Sequence, residues 1–469
     1  MSHTIALVVI TPLIFSIGAF IFRKKAKIIM LVGTVVWFIL ASDLFIGVQN
    51  NEMLSYTFAG YSAPLGIEFI AFSLNSFILL LCSFIVMMIT FYAYFYLQKH
   101  SEQLFFCLVG FLCSGLAIAF LSNDIFNIYV GLELLSLSAV SLSALGGSKK
   151  AIYASIKYLL ASLLASGFYL FAVVLLYTNY STLSIELLRS MVQDDAPTML
   201  AYICIVLALI IKTALFPFHY WLAKAHSNAL APVSALLSAV VIKTTFYLLI
   251  LFSYKIFTFS YDIKSFIGYL GLIAVFYGGV QAILAKKLKL LIAYSTISQV
   301  GYFFIVFLLP LNQGLVASIL IVIAHMFAKA GLFLVAGILI YICSSKEISY
   351  LKGVSSVAPL SIFTLSFSAI TLIGLPPTLG FSAKWHYLQS FLQDEQWFVF
   401  VLLLLATLVT AFYFFKIIII TLMQEKSSKS FIKPTGHGFV IMQVVAFFLS
   451  ASSVMFGFFS TNIINMIGW

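Results

Sequence analysis

LIIKTALFPFHYWLAKAH, residues 209–226, and LIGLPPTLGFSAKWHYLQ, residues 372–389, decide how this chain is read. Each is an apolar run of the kind that crosses a membrane, and each is interrupted by proline close to a lysine. Lys212 lies five residues before Pro217, and Lys384 lies seven residues after Pro377, which follows Pro376. Proline removes a backbone donor and frees a carbonyl one turn earlier. In hydrocarbon the freed carbonyl has to find protein or water, so a broken helix beside a charged side chain describes a hydrated cavity at midmembrane depth. A plain proline kink would need no lysine.

The rest of the chain agrees with a bilayer as its solvent. Of 469 residues, 63% are hydrophobic, 16% aromatic and only 8% charged, against about 25% charged in soluble domains. A transmembrane helix needs about 20 apolar residues, so little chain remains for an extramembrane module and a soluble catalytic domain is excluded. Fourteen apolar spans are expected near 4–22, 28–47, 67–97, 104–122, 125–145, 153–177, 198–222, 232–254, 265–285, 290–310, 314–343, 357–393, 396–422 and 438–461. The whole of 1–469 is one transmembrane domain. Residues 4–22 do not read as a cleavable signal, because their basic cluster follows the apolar run.

Topology explains the net charge of +11. Loops on one side carry Arg23, Lys24, Lys25, Lys27, Lys99, Lys149, Lys150, Lys224, Lys286, Lys287, Lys289, Lys346, Lys352, Lys426, Lys429 and Lys433. Those on the other carry only Arg189, Lys255 and Lys264. The positive-inside rule then places both termini outside. The outer loops hold Glu52, Glu186, Asp194, Asp195, Asp262, Asp394 and Glu395, and the inner ones Glu102, Glu347 and Glu425. No basic excess is left for nucleic acid. The five cysteines, Cys82, Cys107, Cys113, Cys204 and Cys343, form no CxxC pair, so neither an iron–sulfur cluster nor a disulfide-stapled ectodomain is expected.

What remains is intramembrane charge: Lys157, Lys212, Lys243, Lys329, Lys384 and Lys416, with Glu133 the most central carboxylate and His325 one turn before Lys329. Asp43, Glu68 and Asp124 lie nearer span ends. A central charge costs at least about 2.5–3.5 kcal/mol, so such a set points to function. Lys416, near the inner end of its span, reads as a snorkelling residue, and Lys157 is also near an inner end. The two proline breaks lie five spans apart. That odd offset makes 104–254 and 265–422 an expected inverted repeat. Ala223-Lys224-Ala225-His226 is echoed by Ala383-Lys384-Trp385-His386.

Phe216-Pro217-Phe218-His219-Tyr220-Trp221-Leu222, then Ala225-His226, Pro232-Val233-Ser234-Ala235-Leu236-Leu237 and Lys243-Thr244, resemble the signature of the antiporter-like membrane subunits. Respiratory complex I, membrane hydrogenases and the multisubunit Mrp cation/proton antiporters share these subunits. Gly131-Leu132-Glu133-Leu134-Leu135, Lys157-Tyr158-Leu159, Ser298-Gln299-Val300-Gly301-Tyr302, His325-Met326-Phe327-Ala328-Lys329-Ala330 and Gly374-Leu375-Pro376-Pro377-Thr378 extend the resemblance over most of the chain. FAGYSAPLG at 58–66, Gly146-Gly147-Ser148 and Gly380 to Trp385 resemble the Mrp D-type subunit. GLELLSLS and IKYLLASLLASGFYLF are similar to the N-type subunit of complex I. The family's Trp-Leu-Pro is replaced by Trp221-Leu222-Ala223-Lys224, which leaves the shape of the inner half of the seventh span open.

The resemblance implies an all-α fold of about fourteen helices with an inverted five-helix repeat, broken seventh and twelfth helices and a midmembrane polar axis. It assigns proton translocation to Glu133, Lys212, Lys243, His325, Lys329 and Lys384, with Lys157 as a further candidate. It also implies other membrane subunits as partners, protons and monovalent cations as cargo, no cofactor or metal, and a multi-pass location in the bacterial inner membrane. Lysine suits the role because its protonation responds to burial and neighbouring charge, whereas arginine stays charged. Three functions stay open: a subunit of a sodium or potassium/proton antiporter, a pump subunit (N- or M-type) of NADH-quinone oxidoreductase or a membrane hydrogenase, and a scaffold whose charges only pair. The first is a transporter component; the second would make the chain part of a translocase enzyme. The sequence holds no glycine-rich nucleotide loop and no haem-like histidine pair, so any redox step belongs to another subunit.

Overall fold

The computed structural model describes residues 2–97, 103–259, 261–423, 431–432 and 436–467. The loop charges Lys99, Glu102, Glu425, Lys426, Lys429 and Lys433 lie outside the described residues.

Among the described residues thirteen helices are long and apolar enough to cross a membrane. The expected twelfth span is built from two shorter pieces, Pro359–Ile373 and Leu379–Gln393. Helices dominate because hydrocarbon offers the backbone no partner, and only internal hydrogen bonds satisfy it. The eleventh span, Leu311–Cys343, has its apolar window wholly buried, whereas the windows of the first, second, thirteenth and fourteenth are 28–33% buried. The eleventh is therefore the axis of the bundle, and those four lie at its periphery. Close helix approach uses small residues: a Cβ on Gly301 would stand 2.5 Å from the Gly271 carbonyl, which locks the ninth span, Tyr261–Leu284, against the tenth, Leu288–Leu308.

The expected third span, 67–97, is corrected at its start. Glu68–Phe72 is a strand, paired antiparallel with Met53–Thr57 in a hairpin that joins the second span, Arg23–Asn51, to the helix Ser73–Tyr96. Phe69-Ile70-Ala71-Phe72 runs into that helix with no charged residue before Lys99, which hid the boundary. Glu68 thus sits in the hairpin, outside any span.

Loop contacts sort the connections into two ends. At one end Phe69 bridges Ser122, Asp124 bridges Ser184, and Lys255 pairs with Glu186. At the other, Lys287 bridges Glu347 and Lys289 reaches Ala229. These are the groups expected from alternating spans.

Candidate functional site

Both broken spans are broken in the same way. The helix Ala196–Thr213 ends on Ala214 in the left-handed region (φ 58°), and Phe216-Pro217 follows as a cis bond. Pro359–Ile373 ends on Gly374 (φ 84°), followed by cis Pro376-Pro377. In each, two successive amides, of Ala214 and Leu215 or of Gly374 and Leu375, fold back on the last turn of helix. Side chains also donate to carbonyls at each break. Trp221 Nε1 donates to the Ile211 carbonyl at 3.1 Å; Lys384 Nζ donates to those of Leu372 and Ile373 at 3.1 and 2.9 Å. Beyond Pro217 a 3-10 turn, Phe218–Trp221, leads into the short helix Leu222–Asn228. The Ala223-Lys224 departure therefore does not straighten the seventh span.

Lys212, at the end of the first half-helix, is 6% exposed. Its Nζ meets Glu133 Oε1 at 3.1 Å, Ser136 Oγ at 2.8 Å and Ser162 Oγ at 3.1 Å, which uses all three ammonium donors. Glu133 and Ser136 come from the fifth span, Ile125–Ala144, and Ser162 from the sixth, Lys149–Tyr180. Ser166, one turn beyond Ser162, donates to the same Glu133 oxygen.

The eighth span, Ala231–Lys255, carries a π-helical turn at Leu237–Val241, a distortion that often marks functional sites. Immediately after it stands Lys243, 1% exposed. Its Nζ donates to the Ser238 carbonyl and lies 2.6 Å from His325 Nδ1. Next to both lysines a hydroxyl pair, Thr213 to Thr245 at 2.9 Å, ties the seventh span to the eighth. The other ring nitrogen of His325 is buried without a partner.

From Lys243 the polar series continues through the tenth span. Ser238 Oγ meets Thr296 Oγ1 at 3.3 Å, and the adjacent Ser295 accepts from Lys329 Nζ at 2.5 Å, as does the Ile292 carbonyl at 3.0 Å. One turn on, Gln299 Nε2 donates to the Leu372 carbonyl at 3.4 Å, the same oxygen that Lys384 holds. Lys384 also lies 4.3 Å from the Tyr302 ring, beside a cavity of about 10 Å³. Glu133 with Lys212, Lys243 with His325, Lys329 with Ser295, and Lys384 with the Leu372 carbonyl are therefore separate groups of short contacts, set along neighbouring polar positions of the fifth, seventh, eighth, tenth, eleventh and twelfth spans, and the four lysines are buried.

Lys157 is half-buried, 4.7 Å from the ring of Tyr153 one turn earlier; no contact with the series is seen among the described residues. Lys416 is half-buried and donates to the Ile283 carbonyl at 2.9 Å, near the inner end of the ninth span. Two expected loop charges are corrected. Lys289 is buried with Nζ 2.5 Å from the Ala229 carbonyl, and Lys264 is buried with Nζ 3.1 Å from that of Thr258. Lys264 is held by the segment just before its helix and Lys289 by the connection between the seventh and eighth spans, which linear counting cannot show. His226 is a third buried group: it stacks on Phe333 at 5.1 Å, and neither ring nitrogen has a partner. Its echo with His386 was the available signal.

Among the described residues only two ion pairs form, Glu133–Lys212 and Glu186–Lys255. Lys243, Lys329 and Lys384 rest on carbonyls, hydroxyls and an imidazole. A side chain held this way is satisfied in either protonation state with little movement, which a structural ion pair does not allow.

A family model described as NADH:quinone oxidoreductase/Mrp antiporter, transmembrane, matches residues 122–410. The N subunit of NADH-quinone oxidoreductase from Desulforudis audaxviator is 33% identical over 364 residues, 76% of this chain and 72% of that one. The D subunit of the Na(+)/H(+) antiporter from Alkalihalophilus pseudofirmus is 26% identical over 411 residues, 85% and 83% of the two chains. In fold, a chain of the Mrp complex from Dietzia sp. superposes with a TM-score of 0.91 at 21% identity, over 100% of this chain and 96% of that one.

Proposed function

Since the chain belongs to the NADH:quinone oxidoreductase/Mrp antiporter family, we propose that it is the proton-translocating subunit of a multisubunit sodium or potassium/proton antiporter. The observation that carries this reading is the Glu133–Lys212 pair opening onto a buried run of lysines that have no carboxylate of their own. With the pair closed, Lys212 keeps its proton. When Glu133 withdraws, the ammonium is left on two serine hydroxyls in a low-dielectric site, and the proton moves towards Lys243 past the Thr213–Thr245 pair. From Lys243, His325 and the Ser238–Thr296–Ser295 hydroxyls lead to Lys329, and Gln299 with the Leu372 carbonyl leads to Lys384.

The shared geometry of the two breaks supports an inverted repeat of 104–254 and 265–422. Ala214 and Gly374, like Pro217 and Pro377, are 160 positions apart. In this reading both termini face outward from a bacterial inner membrane, and the chain works beside neighbouring membrane subunits. Lys243→Ala is the test: vesicles with a normal amount of the assembled complex should lose cation-dependent proton movement, and retained movement would sink the reading. The 33% identity to an N subunit favours a second one, a proton pump powered by electron transfer in its partners.

A further inference from the structure

One turn beyond Lys243 on the eighth span stands Tyr247, buried, its hydroxyl beside the Asn75 side chain but without a hydrogen bond of good geometry. An orphaned buried hydroxyl is rare and calls for an explanation. The adjacent space provides one. Tyr247 lines a cavity of about 20 Å³ whose other polar walls are Asn75, Ser122, Asn123 and Lys255. That is enough room for a water molecule, in a site with the polar partners that a buried water needs.

The cavity is not isolated. A crevice of about 360 Å³ shares the Tyr247 and Lys255 walls and reaches Glu186 and Arg189, both exposed. The crevice and the small cavity thus abut along the walls they share, beside Tyr247. Asn75 is fixed by three hydrogen bonds, from Phe72 N and to the Ile70 and Phe120 carbonyls, so the polar wall is a rigid frame whose amide protons are already spent. Carboxylates stand at this end as well: Asn123 donates to Glu68 at 3.1 Å, and Asp124 begins the fifth span.

The third span links the frame to the lysine. Cys82, within electrostatic reach of Lys243, lies seven residues after Asn75 and so on the same helix face, about 10 Å further along. Leu79, buried, lies on that face between them. On the eighth span Lys243 sits between two acceptors. The Ser238 carbonyl, which it now holds together with His325, lies towards one end; Tyr247 lies towards the other.

We propose that Tyr247 relays protons between Lys243 and a water-filled access opening on the face that carries Glu186 and Arg189, so that the central lysine has an outlet of its own within this chain. In the relay Lys243 swings towards Tyr247 and its ammonium passes a proton to the phenol oxygen as the phenol proton leaves to the cavity water. Tyrosine ends unchanged and lysine ends neutral. The proposal rests on the role of Lys243 argued above.

Two measurements on the assembled complex in membrane vesicles test it. Tyr247→Phe, which deletes only the hydroxyl, should slow proton exchange by about tenfold or more at normal protein level. Tyr269→Phe, on an exposed face of the ninth span, should not. Independently, on a background lacking native thiols, silver ions should reach Ser122→Cys from the side on which an impermeant thiol reagent labels Arg189→Cys. Normal exchange by Tyr247→Phe, or a Ser122→Cys that silver fails to reach from that side, overturns the outlet. Lys243→Ala separates the two claims: transport surviving that change sinks the function itself, whereas lost transport together with a silver-inaccessible cavity sinks only the outlet.

Discussion

Glu133 is the one carboxylate in contact with the buried lysines among the described residues, so removing it breaks their one ion pair. Glu133→Ala leaves Lys212 with Ser136 and Ser162 alone, and breaking a buried pair costs up to about 3–5 kcal/mol, reduced here because the Glu133 side chain is 20% exposed. The expected outcome is that Glu133→Ala and Lys212→Ala each abolish cation-coupled proton movement while the protein still inserts. Lys416→Ala, half-buried on a single carbonyl, should change it little. Ser162→Ala should lie between, losing one hydrogen bond to a charged group, about 1.5–3 kcal/mol. Vesicle transport rates normalised to protein level check all four. At this scale the sequence was most legible, because a lysine in the middle of an apolar run is costly wherever it points. It was least legible for Lys289 and Lys264, which sit at helix starts and were counted with the loops; only the tertiary fold buries them, Lys264 against Thr258 and Lys289 against the distant Ala229.

The two breaks show what an element needs beyond its prolines. Gly374 takes a left-handed conformation, and a Cβ there would stand 2.9 Å from Lys384 Cδ and 3.2 Å from the Gly380 carbonyl. Ala214 adopts the matching conformation with a Cβ already in place. Gly374→Ala should therefore destabilise the protein by about 1–2 kcal/mol and lower transport through Lys384, whereas Ala214→Gly should leave both unharmed. Thermal unfolding of the solubilised complex, read beside transport, separates these outcomes; a Gly374→Ala variant as stable and active as the parent would contradict the geometry. Proline position made the breaks readable in the sequence. The hairpin of Met53–Thr57 with Glu68–Phe72 was not, since apolar residues run on from strand into helix without a change of composition. The π-helical turn before Lys243 was equally hidden: Leu237–Val241 is a mostly apolar sequence that carries no sign of the distortion.

Across the whole molecule, the loops fall into the two groups that alternating spans require, and the basic ones carry Lys149 and Lys287. Cysteines at these positions, on a background lacking native thiols, should be labelled only from the cytoplasmic side; labelling of position 149 from outside would reverse the orientation. Span number and loop grouping were legible because both follow from hydropathy and charge. The polar groups that hold the lysines were not, as they are carbonyls and hydroxyls such as those of Ser238, Ser295 and Leu372, which no charge count records. In the proposed function protons move along these groups, and a unit charge crossing the membrane exchanges about 2.3 kcal/mol per 100 mV with the field, so ion gradients alone would suffice to drive the movement. The most direct measurement uses everted vesicles containing the assembled complex, with an imposed pH gradient and no NADH or quinone. The gradient should collapse on adding sodium or potassium, and Lys212→Ala vesicles should hold it. A gradient that ignores both cations, with proton movement that requires electron transfer and stops with a quinone-site inhibitor, would contradict the antiporter account and put the electron-transfer-driven reading in its place.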